Sequence, residues 1–262
     1  MEDFINLSSL EAALPSFGKN GPFDHSIIDD FFLDDVAAGI EAEFPTFDDS
    51  VWHQYDNAIE VKKVCNNWNC FPPLTYSVFT MLNSAEFMAL LTDKILDGRA
   101  LYSDAGLNGG GWHIHKQGGK LNTHLDYSLH PKLGLQRKLN IIVYMNSHWQ
   151  DEWGGHLGLW GNESSSEPGQ LARSVAPKFN RAVIFDTTQN SWHGLPDPLK
   201  CPEDQFRKSL AVYYLCEPPA DMDQRGKALF APTAEQKSDQ SVLDLIRKRA
   251  DVKTAADVYK DS

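Results

Sequence analysis

Cysteine is scarce: Cys65, Cys70, Cys201 and Cys216 are the four in 262 residues, and none forms a C-x-x-C pair. That spacing builds neither a thiolate zinc site nor a disulfide framework, and it suits a reducing compartment. Basic residues are in deficit, 24 Lys and Arg against 36 Asp and Glu, for a formal charge of −12. Surfaces that hold phosphate backbones or anionic lipid concentrate Lys and Arg, so nucleic acid is not an expected partner. No apolar run approaches the roughly 18 residues of a membrane span, and the first twenty residues carry acids where a secretion signal carries bases. A cytoplasmic protein with no membrane partner is the expectation. The glycine run at 108–111 is followed by neither GK[ST] nor a helical pattern, which excludes a phosphate loop; it reads as a flexible edge beside a site entrance.

Residues 23–29, FDHSIID, read as an edge strand, and LDDVAAGIEAE, 33–43, as a helix with acids in its first turn and Pro45 just beyond. Two amphipathic helical segments fill 75–96, with Ser84 as the N-cap of the second. The first third is therefore expected to be mainly helical. From about residue 111 the texture changes to GGWHIHK, KLNTHLDYS, RKLNIIVYMNS, GGHLGLW, NRAVIFDT and RKSLAVYYL, at least six short β-branched and aromatic runs separated by turn residues. Such a series predicts a barrel or sandwich with the early helices packed outside it. No repeat or long linker divides the chain, so one domain over 1–262 is expected: a helical region to about 100, a β core over about 101–217 and an extension over 218–262. That extension ends in the helix SVLDLIRKRA, which either docks on the surface or dangles.

Side chains two apart on a strand share a face, so His124 and Asp126 of KLNTHLDYS project together while Leu125 points away. A facial site of two His and one carboxylate with open positions suits non-haem Fe(II), and His193, in the turn NSWHG after an apolar strand, is the best third ligand. Fourteen residues later, alternation in RKSLAVYYL puts Arg207, Ser209, Ala211 and Tyr213 on one face. A guanidinium beside a hydroxyl on an interior strand is a place for a carboxylate.

The order His124-x-Asp126, His193, Arg207-x-Ser209 resembles the Fe(II)/2-oxoglutarate-dependent dioxygenases, in particular the prolyl 4-hydroxylase-like subgroup. PFDHSIIDDFF, GGHLGLW and FNRAVIFDT are similar to that subgroup's opening strand, Gly-Gly turn and penultimate strand, and the likeness runs over about residues 22–217. It implies a double-stranded β-helix, or jelly roll, mainly β, with N-terminal helices buttressing one sheet. It implies Fe(II) held by His124, Asp126 and His193, 2-oxoglutarate anchored by Arg207 with Ser209, O2 as oxidant and ascorbate as a candidate reductant. The reaction implied is hydroxylation of an unactivated C–H bond of a small-molecule or peptidyl substrate, with release of succinate and CO2. Many members carry a Tyr nine residues before the first ligand His; here that position is His115, a candidate cosubstrate contact, with His113 two residues before it. Asp126 is intact where related halogenases have Gly or Ala, which favours hydroxylation.

Alternatives remain on the same residues. Desaturation, cyclisation or epimerisation on the same fold, or a non-catalytic jelly-roll binding module, would leave this pattern unchanged. His113 and His115 would suit a cupin metal site, but the Glu such a site needs three to five residues on is replaced by Gly118, Gly119 and Lys120. His130, His148 and His156 read as turn and hydrogen-bonding residues, and Trp112, Trp149, Trp153 and Trp160 as packing. The acidic surface reads as a solubility feature that a cationic substrate would also suit.

Overall fold

The computed structural model describes residues 1–96, 98–255 and 257. Its helices are α1 (Leu7–Ala13), α2 (Asp34–Glu43), α3 (Pro73–Leu82), α4 (Ala85–Ile95) and α5 (Gln240–Ala250). The first strands are β1 (His25–Ile28), β2 (His53–Asp56), β3 (Glu60–Cys65), β4 (Tyr102–Ser103), β5 (Gly111–His115), β6 (Lys120–Leu121) and β7 (His124–Leu125). They are followed by β8 (Gln136–Tyr144), β9 (Leu157–Ser164), β10 (Glu167–Val175), β11 (Ala182–Asp186), β12 (His193–Gly194), β13 (Arg207–Cys216) and β14 (Leu229–Phe230). They form two antiparallel sheets. The major sheet runs β1-β11-β8-β13-β5-β3-β2, with β4 paired to β13 and β6 to β3; the minor sheet runs β10-β9-β12-β7-β14. This is the jelly-roll fold, buttressed on the outer face of the major sheet by α1 to α4.

Strand alternation builds both layers. On β13, Leu210, Val212 and Tyr214 face the helices together with Leu139, Ile141 and Val143 of β8 and Trp112 and Ile114 of β5. Phe79 and Leu82 of α3 and Phe87 and Leu91 of α4 close over that layer, all fully buried. Each such side chain contributes about 1.5–3 kcal/mol through burial. The helix pair is divided where the sequence indicates: the Ser84 hydroxyl accepts the Phe87 N–H and caps α4. The opposite faces of the same strands turn toward the minor sheet. There Tyr144, Val183 and Phe185 pack on Leu157, Leu159 and Val175 at one end, and the other end stays open as a polar cavity.

Two segments depart from expectation, and a third takes one of its two expected courses. The first third is not only helical, because β2 and β3 form a hairpin that extends the major sheet from β5. EVKKVC does not read as a strand because its inward face carries Glu60 and Lys62 in place of apolar residues. The glycines at 109–111 are packed, not loose: Gly111 has φ +91°, and a Cβ there would stand 2.1 Å from the Cys65 carbonyl oxygen. The C-terminal helix docks. Asp239 caps α5 by accepting the Ser241 and Val242 N–H groups, and Val242 and Ile246 bury against Ile59 and Phe230. The part of the extension beyond residue 255 lies, Asp257 apart, outside the described residues.

Candidate active site

The cavity between the sheets holds about 260 Å³. His124 on β7 and His193 on β12 pair directly across the minor sheet, so both rings leave the same face, with centroids 4.3 Å apart. Phe230, paired with His124 from β14, stacks on that ring at 5.0 Å, and Phe185 of the facing sheet contacts His193 at 4.8 Å. Asp126 follows β7. Its Oδ1 lies 3.8 Å from His124 Nε2 and its Oδ2 3.8 Å from His193 Nε2. One ligand atom from each of the three can be chosen with all separations within 4.8 Å, the one such His/Cys/Asp/Glu group among the described residues.

Tautomers are fixed from behind. His124 Nδ1 lies 3.0 Å from the Asn122 carbonyl and His193 Nδ1 2.8 Å from the Ser191 carbonyl. A carbonyl only accepts, so each Nδ1 carries the proton and each Nε2 turns a lone pair into the site. Burial, with His193 adding to it, lowers the His124 pKa to about 3, which keeps that ring neutral. Burial pushes the Asp126 carboxyl up, but Arg137, backed by His193, His124 and Lys62, outweighs it and holds the group below its ordinary value. Asp126 Oδ2 is buried without a hydrogen-bond partner. Two imidazoles and one carboxylate with an unfilled lone pair are the donor set of a divalent iron site, and the residues fit the metal.

On the facing sheet, Arg207 pairs with His115 across β13 and β5, and Ser209 with His113, so these four share the inward face. Arg207 is 4% exposed; its Nε donates to the Gly155 carbonyl at 2.6 Å, and its guanidinium lies 4.9 Å from the Tyr144 ring centroid. No carboxylate of the described residues pairs with it, and burial, resisted by Tyr144, lowers its pKa. A buried guanidinium without an anion is a costly arrangement that a carboxylate ligand relieves. Both His115 ring nitrogens are buried without partners, and burial, then Arg207, depresses its pKa far enough to keep it neutral.

Residues absent from the expected set also line the cavity. Arg137 lies beside Asp126, Lys62 and Glu60 reach in from β3, and Lys227, Phe230 and Arg249 close one side. The C-terminal extension is thus part of the cavity wall.

Comparison with known proteins agrees with this geometry. Residues 110–215 match the family described as the 2OG-Fe(II) oxygenase superfamily. A 91-residue stretch, 33% of the chain, is 28% identical to prolyl 3-hydroxylase OGFOD1 of Xenopus laevis but covers only 17% of that protein. Among solved structures, a prolyl-4-hydroxylase of Pseudomonas putida superposes with a TM-score of 0.57 at 15% identity, over 80% of this chain and 100% of that one. A prolyl hydroxylase of Trichoplax adhaerens superposes at 0.55 and 14% identity, over 79% and 89%. The region 110–215 is a 2OG-Fe(II) oxygenase domain, a class of dioxygenase that works with Fe(II), 2-oxoglutarate and O2. In fold the chain is similar to these prolyl hydroxylases. No helix of the described residues is long and apolar enough to cross a membrane.

Proposed function

We propose that this chain, folded as one domain, is an Fe(II)- and 2-oxoglutarate-dependent hydroxylase. Its substrate would be a small molecule or an amino-acid or prolyl-type group bearing an unactivated C–H bond, and its by-products succinate and CO2. The observation that carries the reading is the opposition of two half-sites across one cavity: His124, Asp126 and His193 on one side, and on the other Arg207, which pairs with no carboxylate of the described residues. The first three would hold iron, which when bound would supply dioxygen activation coupled to oxidative decarboxylation of the keto acid. Arg207 holds the distal carboxylate, with the Ser209 hydroxyl as a further donor and His115 as a neutral contact on the neighbouring strand. Ile142, Leu157 and Leu195 give the cavity an apolar wall that excludes water. Asp126 supports hydroxylation over halogenation, because the carboxylate occupies the position a halide would take.

The test is anaerobic titration of the full chain with Fe(II) and 2-oxoglutarate, read by the visible charge-transfer band of the chelate, followed by succinate formation in air. Asp126→Ala should lose both signals. A band of unchanged strength in that variant would sink the assignment, and absence of the band in the unaltered chain would favour a non-catalytic jelly-roll module.

A further inference from the structure

The charge of the cavity opposes the charge of the chain. Against a formal −12 overall, the lining among the described residues carries the cations Lys62, Arg137, Arg207, Lys227 and Arg249, and the carboxylates Glu60 and Asp126. Loading Fe(II) and the dianion of 2-oxoglutarate adds two charges of each sign and leaves the positive surplus unchanged. Two of the five cations have assigned partners, Arg207 the cosubstrate and Arg137 the Asp126 carboxylate. Of the other three, Lys62 and Arg249 flank one acid. Lys62 Nζ lies 3.3 Å from Glu60 Oε2, and Arg249 Nε 3.3 Å from Glu60 Oε1, with Glu60 only 1% exposed. Lys227 stands next to them, and its pKa falls below the ordinary value through burial and then through the charge of Arg249. Lys62 also reaches inward: behind burial, its charge helps to depress His113, His115 and His124. Two cations on one buried carboxylate, with Lys227 close to the second of them, repel one another, and an added anion relieves that repulsion.

We infer that the substrate presents an oxyanion, a carboxylate or a phosphate, to Lys62, Lys227 and Arg249 at the side of the cavity formed by β3, the loop before β14 and α5. The inference rests on the proposed oxygenase reading and deepens it by naming the charge of the substrate. It opposes the cationic substrate that the acidic surface alone would suit. The seat is separate from Arg207, which projects from β13, so substrate and cosubstrate anions do not compete for one cation.

The test uses the full chain loaded with Mn(II) and saturating 2-oxoglutarate without oxygen, with inorganic phosphate and acetate as probes. Calorimetry follows 2-oxoglutarate binding, and phosphorus and carbon nuclear relaxation reports an anion held near the paramagnetic ion. Saturable relaxation enhancement is expected, with affinity reduced at least about tenfold in Lys227→Gln, the weight of one charge-assisted hydrogen bond. Lys62→Gln should act in the same direction while 2-oxoglutarate affinity holds in both variants. Enhancement of phosphate alone assigns a phosphate seat, of acetate alone a carboxylate seat, and of both a general oxyanion seat. If neither probe responds, or if Lys227→Gln leaves the response unchanged, the seat is overturned. Failure of 2-oxoglutarate to bind the unaltered Mn(II) protein would instead remove the oxygenase reading. The same probes titrated calorimetrically onto the metal-free chain then decide the seat by their dependence on Lys227.

Discussion

Arg137 Nη1 lies 3.3 Å from Asp126 Oδ1, and its guanidinium is clamped between the rings of Tyr127 and Tyr213, 3.5 and 3.4 Å from their centroids. The stack fixes the plane of the guanidinium, and the guanidinium in turn fixes one oxygen of a carboxylate that the site needs as a ligand. Removing one partner of a buried pair costs about 3–5 kcal/mol, so Arg137→Gln should destabilise the metal-free protein by that order. With Mn(II) bound the loss should be smaller, because the metal compensates Asp126. Lysine should not rescue, since an ammonium cannot stack between two rings. Urea unfolding with and without Mn(II) checks this; equal losses in both states would mean that Arg137 acts only through the tyrosines.

Arg207→Ala should raise the 2-oxoglutarate requirement at least about tenfold, the loss of a charge-assisted pair, and leave metal binding intact. Calorimetry of each ligand separates the two. An unchanged 2-oxoglutarate affinity would move the anchor elsewhere in the cavity.

These residues differ in how plainly the sequence announces them. The faces shared by His124 with Asp126, just past the short β7, and by Arg207 with Ser209 on β13 were legible because period two gives a face directly. Arg137 was not. Counting back in twos from Tyr144, Ile142 and Asn140 puts Lys138 and Gln136 on the inward face. A bulge shifts the register, so that Tyr214 pairs with Leu139 but Leu215 pairs with Arg137, and the guanidinium turns inward instead. Lys62 and Glu60 were hidden for another reason: a strand whose buried face is charged has no amphipathic signature. The role of α5 was illegible because its apolar residues, Val242 and Ile246, give a docking face but not its address. Only the pairing of Phe230 with His124 brings that segment to the cavity.

The buried histidines predict a direction for acid sensitivity. His124 has a folded pKa of about 3 and an ordinary value near 6.5, and His115 is lowered in the same sense. Their neutral burial contributes stability fully above pH 6.5. Below that the unfolded chain binds protons that the folded one refuses, and stability falls by about 1.4 kcal/mol per pH unit per group, for His124 until about pH 3. The lowered Asp126 carboxyl adds loss in the same direction at the acid end. Metal-free protein should therefore show a urea midpoint that drops from pH 7 to pH 5, and His115→Gln should flatten the drop. A midpoint independent of pH in this window would show that the rings titrate normally.

The last prediction concerns a residue with no functional group. Gly155 has φ +74° and gives its carbonyl to Arg207 Nε, while a Cβ at that position would stand 2.8 Å from Arg207 Cδ and 3.3 Å from Nε. Any side chain there meets two costs: the left-handed backbone, about 1–2 kcal/mol for a residue other than glycine, and displacement of the guanidinium stem. Gly155→Ala should therefore weaken 2-oxoglutarate binding while Mn(II) affinity stays within about twofold, because the metal ligands lie on the other sheet. Gly154, with φ +73° but no atom within 4 Å of its Cβ position, provides the control: Gly154→Ala should cost stability alone. If both variants lose 2-oxoglutarate affinity equally, the turn acts through its backbone conformation and not through its contact with Arg207.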